Sequence, residues 1–331
     1  MVIDYSQIIN RFTELDAYPL PKTDHQVHEV TKCKLFSTLD LKSAYYQIPL
    51  DPKDRVYTAF EANRKIYQYQ RLPFGVTNGV SAFQRIIDSI ISQSGLQRTY
   101  AYLDNITIGG TSKAEHDQNL QRFLEAASQF NLTYEVKSVV AVPQIDTLGY
   151  RVSHGLVKPD PERLHPLIEL PVPQNHRELK RCLGMFAYYD RWIKNYSGKV
   201  EPLTIKSVSF PLSHDALAAF EQLRSELRNA CLGCIDQREP FTVECDASDF
   251  AIAATINQKG RPVAFMSRTL SKTECNYPTV EKEASSIIEA VRKWGHFLYG
   301  KPFTLITDQR SLAFMFDKSC RGKIKNAKIQ A

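Results

Sequence analysis

At 331 residues the chain is longer than a single hydrophobic core usually sustains, so two or three folded units are expected. Hydrophobic residues at 43% and charged residues at 24% are ordinary globular composition, which argues against a disordered tail protein. No apolar run approaches the roughly 18 residues of a membrane span, and Met1-Val2-Ile3-Asp4-Tyr5 lacks a signal-peptide pattern, so an intracellular protein without membrane association is expected, cytoplasmic or nuclear. The net charge of +6 permits a nucleic-acid partner without demonstrating one, and much of the excess falls on Lys318, Arg321, Lys323, Lys325 and Lys328.

The first 150 residues mix short β-rich runs with helical stretches, punctuated by Pro19, Pro21, Pro49 and Pro73. Leu35-Phe36-Ser37-Thr38-Leu39-Asp40 is predicted as a short buried strand ending in an acid. A second strand, Tyr100 to Leu103, is predicted to turn through Asp104-Asn105 and return as Ile106-Thr107-Ile108, since Asn accepts the positive φ that tight hairpins need. Asp104 then stands exposed at a rigid tip. Two acids brought together from different strands can hold Mg²⁺, a hard cation that takes oxygen ligands and shares its shell with phosphates. A pair of such ions about 3.5–4 Å apart can activate a hydroxyl nucleophile and stabilise a leaving pyrophosphate.

From Gly155 to Gln174 the prolines cluster (Pro159, Pro161, Pro166, Pro171, Pro173), predicting a linker around a short helix. A helix is predicted from Glu178 to Tyr196, with Lys180, Gly184 and Tyr188 on one face. Another is predicted from Asp215 to Arg228, with Leu217, Phe220, Leu223 and Leu227 as its apolar stripe. Cys231 and Cys234 have metal or redox spacing. No second Cys/His pair sits at zinc-ligand distance, so all seven cysteines are expected as reduced thiols.

After Pro240 the texture becomes strand, hairpin, strand, then a helix from Val280 to Phe297. Pro240-Phe241-Thr242 and Pro302-Phe303-Thr304 each open a short strand with an acid at its end, Asp246 and Asp308, and equal phase points both acids to one side. Glu283 aligns with Ile287, Ala290 and Trp294 on the inward stripe, whereas Glu281 aligns with Ser285 and Glu289 toward water. A buried carboxylate needs a partner, which convergence of Asp246, Glu283 and Asp308 on a metal would supply.

Several long motifs carry a family resemblance. Phe36 through Asp40 to Tyr45, Gln47 and Pro49 resembles the first palm motif of reverse transcriptases, and Arg71-Leu72-Pro73-Phe74-Gly75 through Phe83-Gln84-Arg85 their second. Tyr102-Leu103-Asp104-Asn105 falls where their Tyr-x-Asp-Asp box belongs, and Leu148-Gly149-Tyr150 resembles the primer-grip turn. Arg177 to Tyr196 resembles the thumb. The segments around Asp246, Glu283 and Asp308 look like the ribonuclease H domain of the same polyprotein. The chain thus resembles, over nearly its whole length, the Pol polyprotein of gypsy-type long-terminal-repeat retrotransposons.

The resemblance implies an α+β fold: reverse transcriptase fingers and palm over 1–150, thumb and connection helices over 151–235, and a partial ribonuclease H-like α/β domain over 236–331. It implies RNA-directed DNA polymerisation and ribonuclease H cleavage, with two Mg²⁺ (or Mn²⁺) ions per active site, held by Asp40 and Asp104 and by Asp246, Glu283 and Asp308. Tyr45 would exclude a 2′-hydroxyl, Phe74, Gly75 and Asn105 would lie at the nucleotide, and Gln84 would brace that pocket or the template. Lys137 would be the general acid for leaving pyrophosphate. Lys180, Gly184 and Tyr188 would follow the minor groove, with Arg181, Arg191 and Lys194 adding phosphate attraction. The implied partners are an RNA or DNA template–primer, an RNA–DNA hybrid and deoxynucleoside triphosphates; nothing in the motifs speaks to dimerisation.

Two departures bear on activity. Asn105 stands where most of the family has a second aspartate: if that charge matters, activity drops severely, and if Asp40 and Asp104 suffice, it only slows. The family's triphosphate-gripping basic residues precede the segment matching Val2 to Tyr5, and its fourth nuclease acid follows the region ending at Ala331, so a chain beginning inside the fingers and ending before the last nuclease elements is expected. A non-catalytic relic that only binds nucleic acid is the alternative expectation.

Overall fold

The computed structural model describes residues 3–135, 139–204, 208–236 and 238–315. The chain divides into two units, Met1–His154 and Gly155–Ala331.

In the first unit the elements are α1 (Ile9–Phe12), α2 (Thr23–Val30), β1 (Leu35–Asp40), β2 (Phe60–Ala62), β3 (Lys65–Tyr67), α3 (Gly79–Gln93), β4 (Thr99–Tyr102), β5 (Asn105–Gly110), α4 (Lys113–Gln129), β6 (Val139–Val142), β7 (Gln144–Thr147) and β8 (Tyr150–Ser153). Strands β4, β5, β1 and β6 form one antiparallel sheet in that order. The apolar positions of α3 (Phe83, Ile87, Ile90) recur at helical spacing and pack with Phe123 and Ala126 of α4 on Leu39, Ala101, Ile106 and Ile108 of the sheet. Each such large side chain contributes roughly 1.5–3 kcal/mol on burial. The Ser112 side chain caps α4 by accepting from the Glu115 N–H. Gly110 lets that helix start against the sheet, because a Cβ there would lie 2.4 Å from the His116 nitrogen. The sheet's acid-bearing end is thus mounted on a packed core, with β1 exactly where the sequence pattern puts it.

The second unit comprises β9 (Leu156–Pro159), α5 (Pro161–Ile168), α6 (His176–Ala187), α7 (Tyr196–Val200), α8 (His214–Arg228), β10 (Leu232–Gly233), β11 (Phe241–Ala247), β12 (Ala251–Gln258), β13 (Arg261–Thr269), α9 (Lys272–Cys275), α10 (Thr279–Leu298), β14 (Phe303–Ile306) and α11 (Arg310–Met315). The expected linker is partly strand: β9 pairs with β10, and Pro161 opens α5 where its missing N–H costs nothing. The helix expected from Glu178 to Tyr196 ends at Ala187, and a 3-10 turn, Asp190–Trp192, follows. In α8, Phe220, Leu223 and Leu227 are buried as expected, but Leu217 is exposed and Ala216 and Ala219 take the inner face. A second sheet, β13-β12-β11-β14, packs Phe241, Val243, Cys245 and Ile256 against Ile287, Ala290 and Trp294 of α10. Strand β14 joins β11 in parallel; the other two pairings are antiparallel.

Two candidate active sites

The first site forms where β1 ends and the β4–β5 hairpin turns. Asp40 lies opposite Asn105 in register, and the Leu41 N–H donates to the Asp104 carbonyl at 2.8 Å, which brings the two acids to the same end of the sheet. Both are exposed. Burial of its surroundings raises the Asp40 carboxyl above its usual range, and like charge on Asp104 and Glu135 adds to it. A divalent cation would relieve that repulsion, and two carboxylates are the hard oxygen donors it takes.

The turn sits one residue earlier than its chemistry suggests. Tyr102 pairs with Asn105, so Leu103-Asp104 is the tip, and the positive φ of 53° falls on Leu103. A non-glycine residue there costs about 1–3 kcal/mol. Tertiary bonds outweigh the preference of Asn: the Leu103 N–H donates to Gln84 Oε1 at 2.8 Å. Asn105 instead opens β5, and its Nδ2 donates to Asp40 Oδ1 at 3.4 Å.

Tyr45 is half-buried beside this end, edge-on to Phe74 at 5.0 Å and to Phe83 at 5.6 Å. Burial, then the nearby Asp104 charge, raises its phenol. Phe74 is 37% exposed, and Gly75 has φ 88°, a conformation that itself calls for glycine. Gln84 lies behind the turn. Its side chain is fully buried and hydrogen-bonded to Leu103, Asp88 and Ala101, so it supports the turn from beneath. Lys137 lies outside the described residues.

The second site crosses β11, β14 and α10. The parallel register Phe241↔Phe303 through Glu244↔Ile306 keeps Asp246 and Asp308 in phase, as their shared layout predicts. Glu283 reaches them from α10: one carboxylate oxygen from each of the three lies within 4.8 Å of the others. Glu283 is 2% exposed; its Oε1 accepts from the Ala247 N–H at 3.0 Å, while its Oε2 is buried with no hydrogen-bond partner among the described residues. Burial pushes its pKa up to about 7, with the Ala247 hydrogen bond opposing and Asp308 and Asp246 adding repulsion. An orphaned buried oxygen facing two acids is what a divalent cation satisfies, and an all-oxygen set suits Mg²⁺ or Mn²⁺. Glu281, Ser285 and Glu289 are half-buried rather than fully in water.

A cleft of about 340 Å³ opens beside the acids, lined by Lys194, Asn195, Glu244, Thr255, Asp246 and Asp308 among others. Lys194 reads in sequence as part of a thumb helix; the break after Ala187 puts it on this wall instead. Lys282, 5% exposed, reaches Asp249 at 2.8 Å and ties the loop after Asp246 to α10. That clamp has no sequence signal beyond a Lys on an inward-facing stripe. On α6, Lys180 and Gly184 are exposed, as is Tyr188 just past its end, and a Cβ on Gly184 would meet none of the described residues within 4 Å. The six described cysteines are free thiols. Among the described residues no helix is long and apolar enough to cross a membrane.

Comparison with known proteins assigns a family to each of the two regions that carry these acids. The family described as reverse transcriptase (RNA-dependent DNA polymerase) matches residues 2–152, and the RNase H-like domain found in reverse transcriptase matches 236–330. In Drosophila melanogaster the chain is 34% identical to the retrovirus-related Pol polyprotein from transposon opus, over 100% of this chain and 35% of the relative. It is 32% identical to that from transposon gypsy, over 99% and 33%, and 32% identical to that from transposon 297, over 95% and 30%. The chain belongs to the gypsy-type Pol polyproteins. It spans about a third of the length of these curated relatives. The solved foamy viral protease-reverse transcriptase dRH in complex with double-stranded DNA shares the fold of this Pol chain at TM-score 0.79 and 22% identity, over 95% of this chain and 57% of that one. The same viral protein in complex with RNA/DNA hybrid matches at TM-score 0.75 and 20% identity, over 99% and 46%.

Proposed function

We propose that this Pol chain performs RNA-directed DNA synthesis at Asp40 and Asp104 and cuts the RNA of an RNA–DNA hybrid at Asp246, Glu283 and Asp308. The observation that carries the reading is the meeting of Asp40 and Asp104, remote in sequence, at one end of a packed sheet. Their carboxylates would hold divalent cations at the first site, and the Asp246, Glu283 and Asp308 carboxylates at the second. When bound, such cations activate the attacking oxygen and offset charge on the leaving one.

The protein's own residues do the rest. The rigid hairpin presents Asp104, and β1 presents Asp40 beside it. Tyr45, braced edge-on by Phe74 and Phe83, would face the deoxyribose and leave no room for a 2′-hydroxyl, the group that separates RNA from DNA precursors. Asn105, hydrogen-bonded to Asp40, would orient that carboxylate without adding charge. In the second unit, Glu283 would give up its raised proton as a cation enters, and Lys194 on the cleft wall would attract the hybrid's phosphates. The open patch at Gly184, between Lys180 and Tyr188, would let a duplex minor groove lie close, with Lys180 toward phosphate and Tyr188 toward sugar. Template–primer, hybrid and deoxynucleoside triphosphates are the proposed partners, and Mg²⁺ the proposed ion.

Primer extension on an RNA template with Mg²⁺ and deoxynucleotides tests this. Incorporation abolished by Asp40→Ala supports the reading. Retained template–primer binding with no incorporation by the unaltered chain favours a non-catalytic binder, the outcome that Asn105 in place of an acid would explain.

A further inference from the structure

Leu103 precedes Asp104 in a left-handed conformation, and the Gln84 amide oxygen holds its N–H. That support works in only one orientation of the amide, because a flipped side chain would set its NH₂ against the Leu103 N–H, donor against donor. The other end of the amide settles the orientation. Gln84 Nε2 donates to Asp88 Oδ1 at 2.9 Å and to the Ala101 carbonyl at 3.3 Å. A flip would turn the amide oxygen toward the Asp88 carboxylate, acceptor against acceptor. Of the two acceptors Asp88 has the closer contact and carries the formal charge, which makes its hydrogen bond the stronger.

Asp88 is itself held. The Tyr18 hydroxyl donates to its Oδ2 at 2.8 Å, a bond that keeps the Tyr18 phenol above its usual pKa. The Arg85 guanidinium lies 5.0 Å from the centre of the Tyr18 ring and pairs with Asp16 two residues earlier. Asp16 in turn gives its carbonyl to the Ser81 hydroxyl. The segment before α2 is therefore fastened along α3, and the fastening runs Tyr18, Asp88, Gln84, Leu103 to the residue before Asp104.

We propose that Asp88, fixed by Tyr18, is a positioning residue for polymerisation: it locks the Gln84 amide so that the strained turn holds Asp104 in place. The proposal rests on Asp104 serving nucleotide incorporation, so its test carries one readout that does not need activity.

Asp88→Ala and Asp88→Asn are compared in the full chain. Asn keeps both contacts, accepting from Gln84 through its oxygen and donating to the Tyr18 hydroxyl through its NH₂. Asp88→Ala is expected to lower kcat for single-nucleotide incorporation about tenfold, the equivalent of one part-buried hydrogen bond to a charged acceptor lost, and to speed amide hydrogen exchange at Leu103 by a similar factor. Nucleotide KM, template–primer affinity and hybrid cleavage by the same chain stay within about twofold, and Asp88→Asn recovers to within about threefold of the unaltered chain. Wild-type kcat and unchanged Leu103 exchange in Asp88→Ala would overturn the proposal, as would an Asn variant as impaired as the Ala one. If the unaltered chain incorporates nothing, the polymerase reading fails while Leu103 exchange still decides the positioning role. Should Asp88→Ala not fold, Tyr18→Phe removes only the outer hydrogen bond and is expected to raise Leu103 exchange by about two- to fivefold; no change there would also overturn it.

Discussion

Asn105 is where the proposed polymerase site is most simply tested. Its amide donates to Asp40, whose carboxyl is already raised by burial and by Asp104 and Glu135. Replacing that donor with a third carboxylate adds charge where a cation would sit. Asn105→Asp is therefore expected to increase incorporation several-fold and to lower the Mg²⁺ concentration giving half-maximal rate. Unchanged or lower activity would show that the missing charge is no defect. Glu283 supplies a second prediction. Its folded-state pKa of about 7 exceeds the 4.5 of an unburied glutamate, so the folded chain keeps a proton that the unfolded chain releases. Without divalent cations, stability should fall as pH rises from about 4.5 through 7 and level off above, by on the order of 3 kcal/mol. Thermal melts in a chelator at pH 5 and pH 8 measure this, with Glu283→Gln expected to flatten the profile. An equal slope in both proteins would assign it elsewhere.

At the scale of elements, α6 separates helix propensity from use. Gly184 weakens the helix by up to about 1 kcal/mol relative to Ala, and no neighbour among the described residues needs the space. Gly184→Ala should raise the melting temperature slightly while weakening template–primer binding, measured by fluorescence anisotropy across salt concentrations. Stronger or unchanged binding would remove the reason for a groove contact there. What the sequence made legible at this scale were the strands with acids at their ends. Leu35–Asp40, the Phe241 and Phe303 strands, and the inward stripe from Glu283 to Trp294 follow from local pattern and common phase. What it hid were features set by contacts distant in sequence. The turn shifted onto Leu103 because Gln84, nineteen residues earlier, accepts its N–H. The helix expected to Tyr196 stopped at Ala187, and Leu217 faced outward because α8 buries its alanines instead. The burial of Gln84 was hidden too, although the four-residue spacing from Gln84 to Asp88 was there to be read.

Across the whole molecule, the described residues carry two carboxylate centres in two units, each mounted on its own sheet and core. If each centre is complete in its own residues, the two activities should fail independently. Asp40→Ala and Asp246→Ala, each measured for primer extension on an RNA template and for cleavage of an RNA–DNA hybrid, test this most directly. The expected result is that Asp40→Ala abolishes extension and leaves cleavage intact, while Asp246→Ala does the reverse. Extension surviving Asp40→Ala, or both activities lost with either substitution in folded protein, would contradict the account.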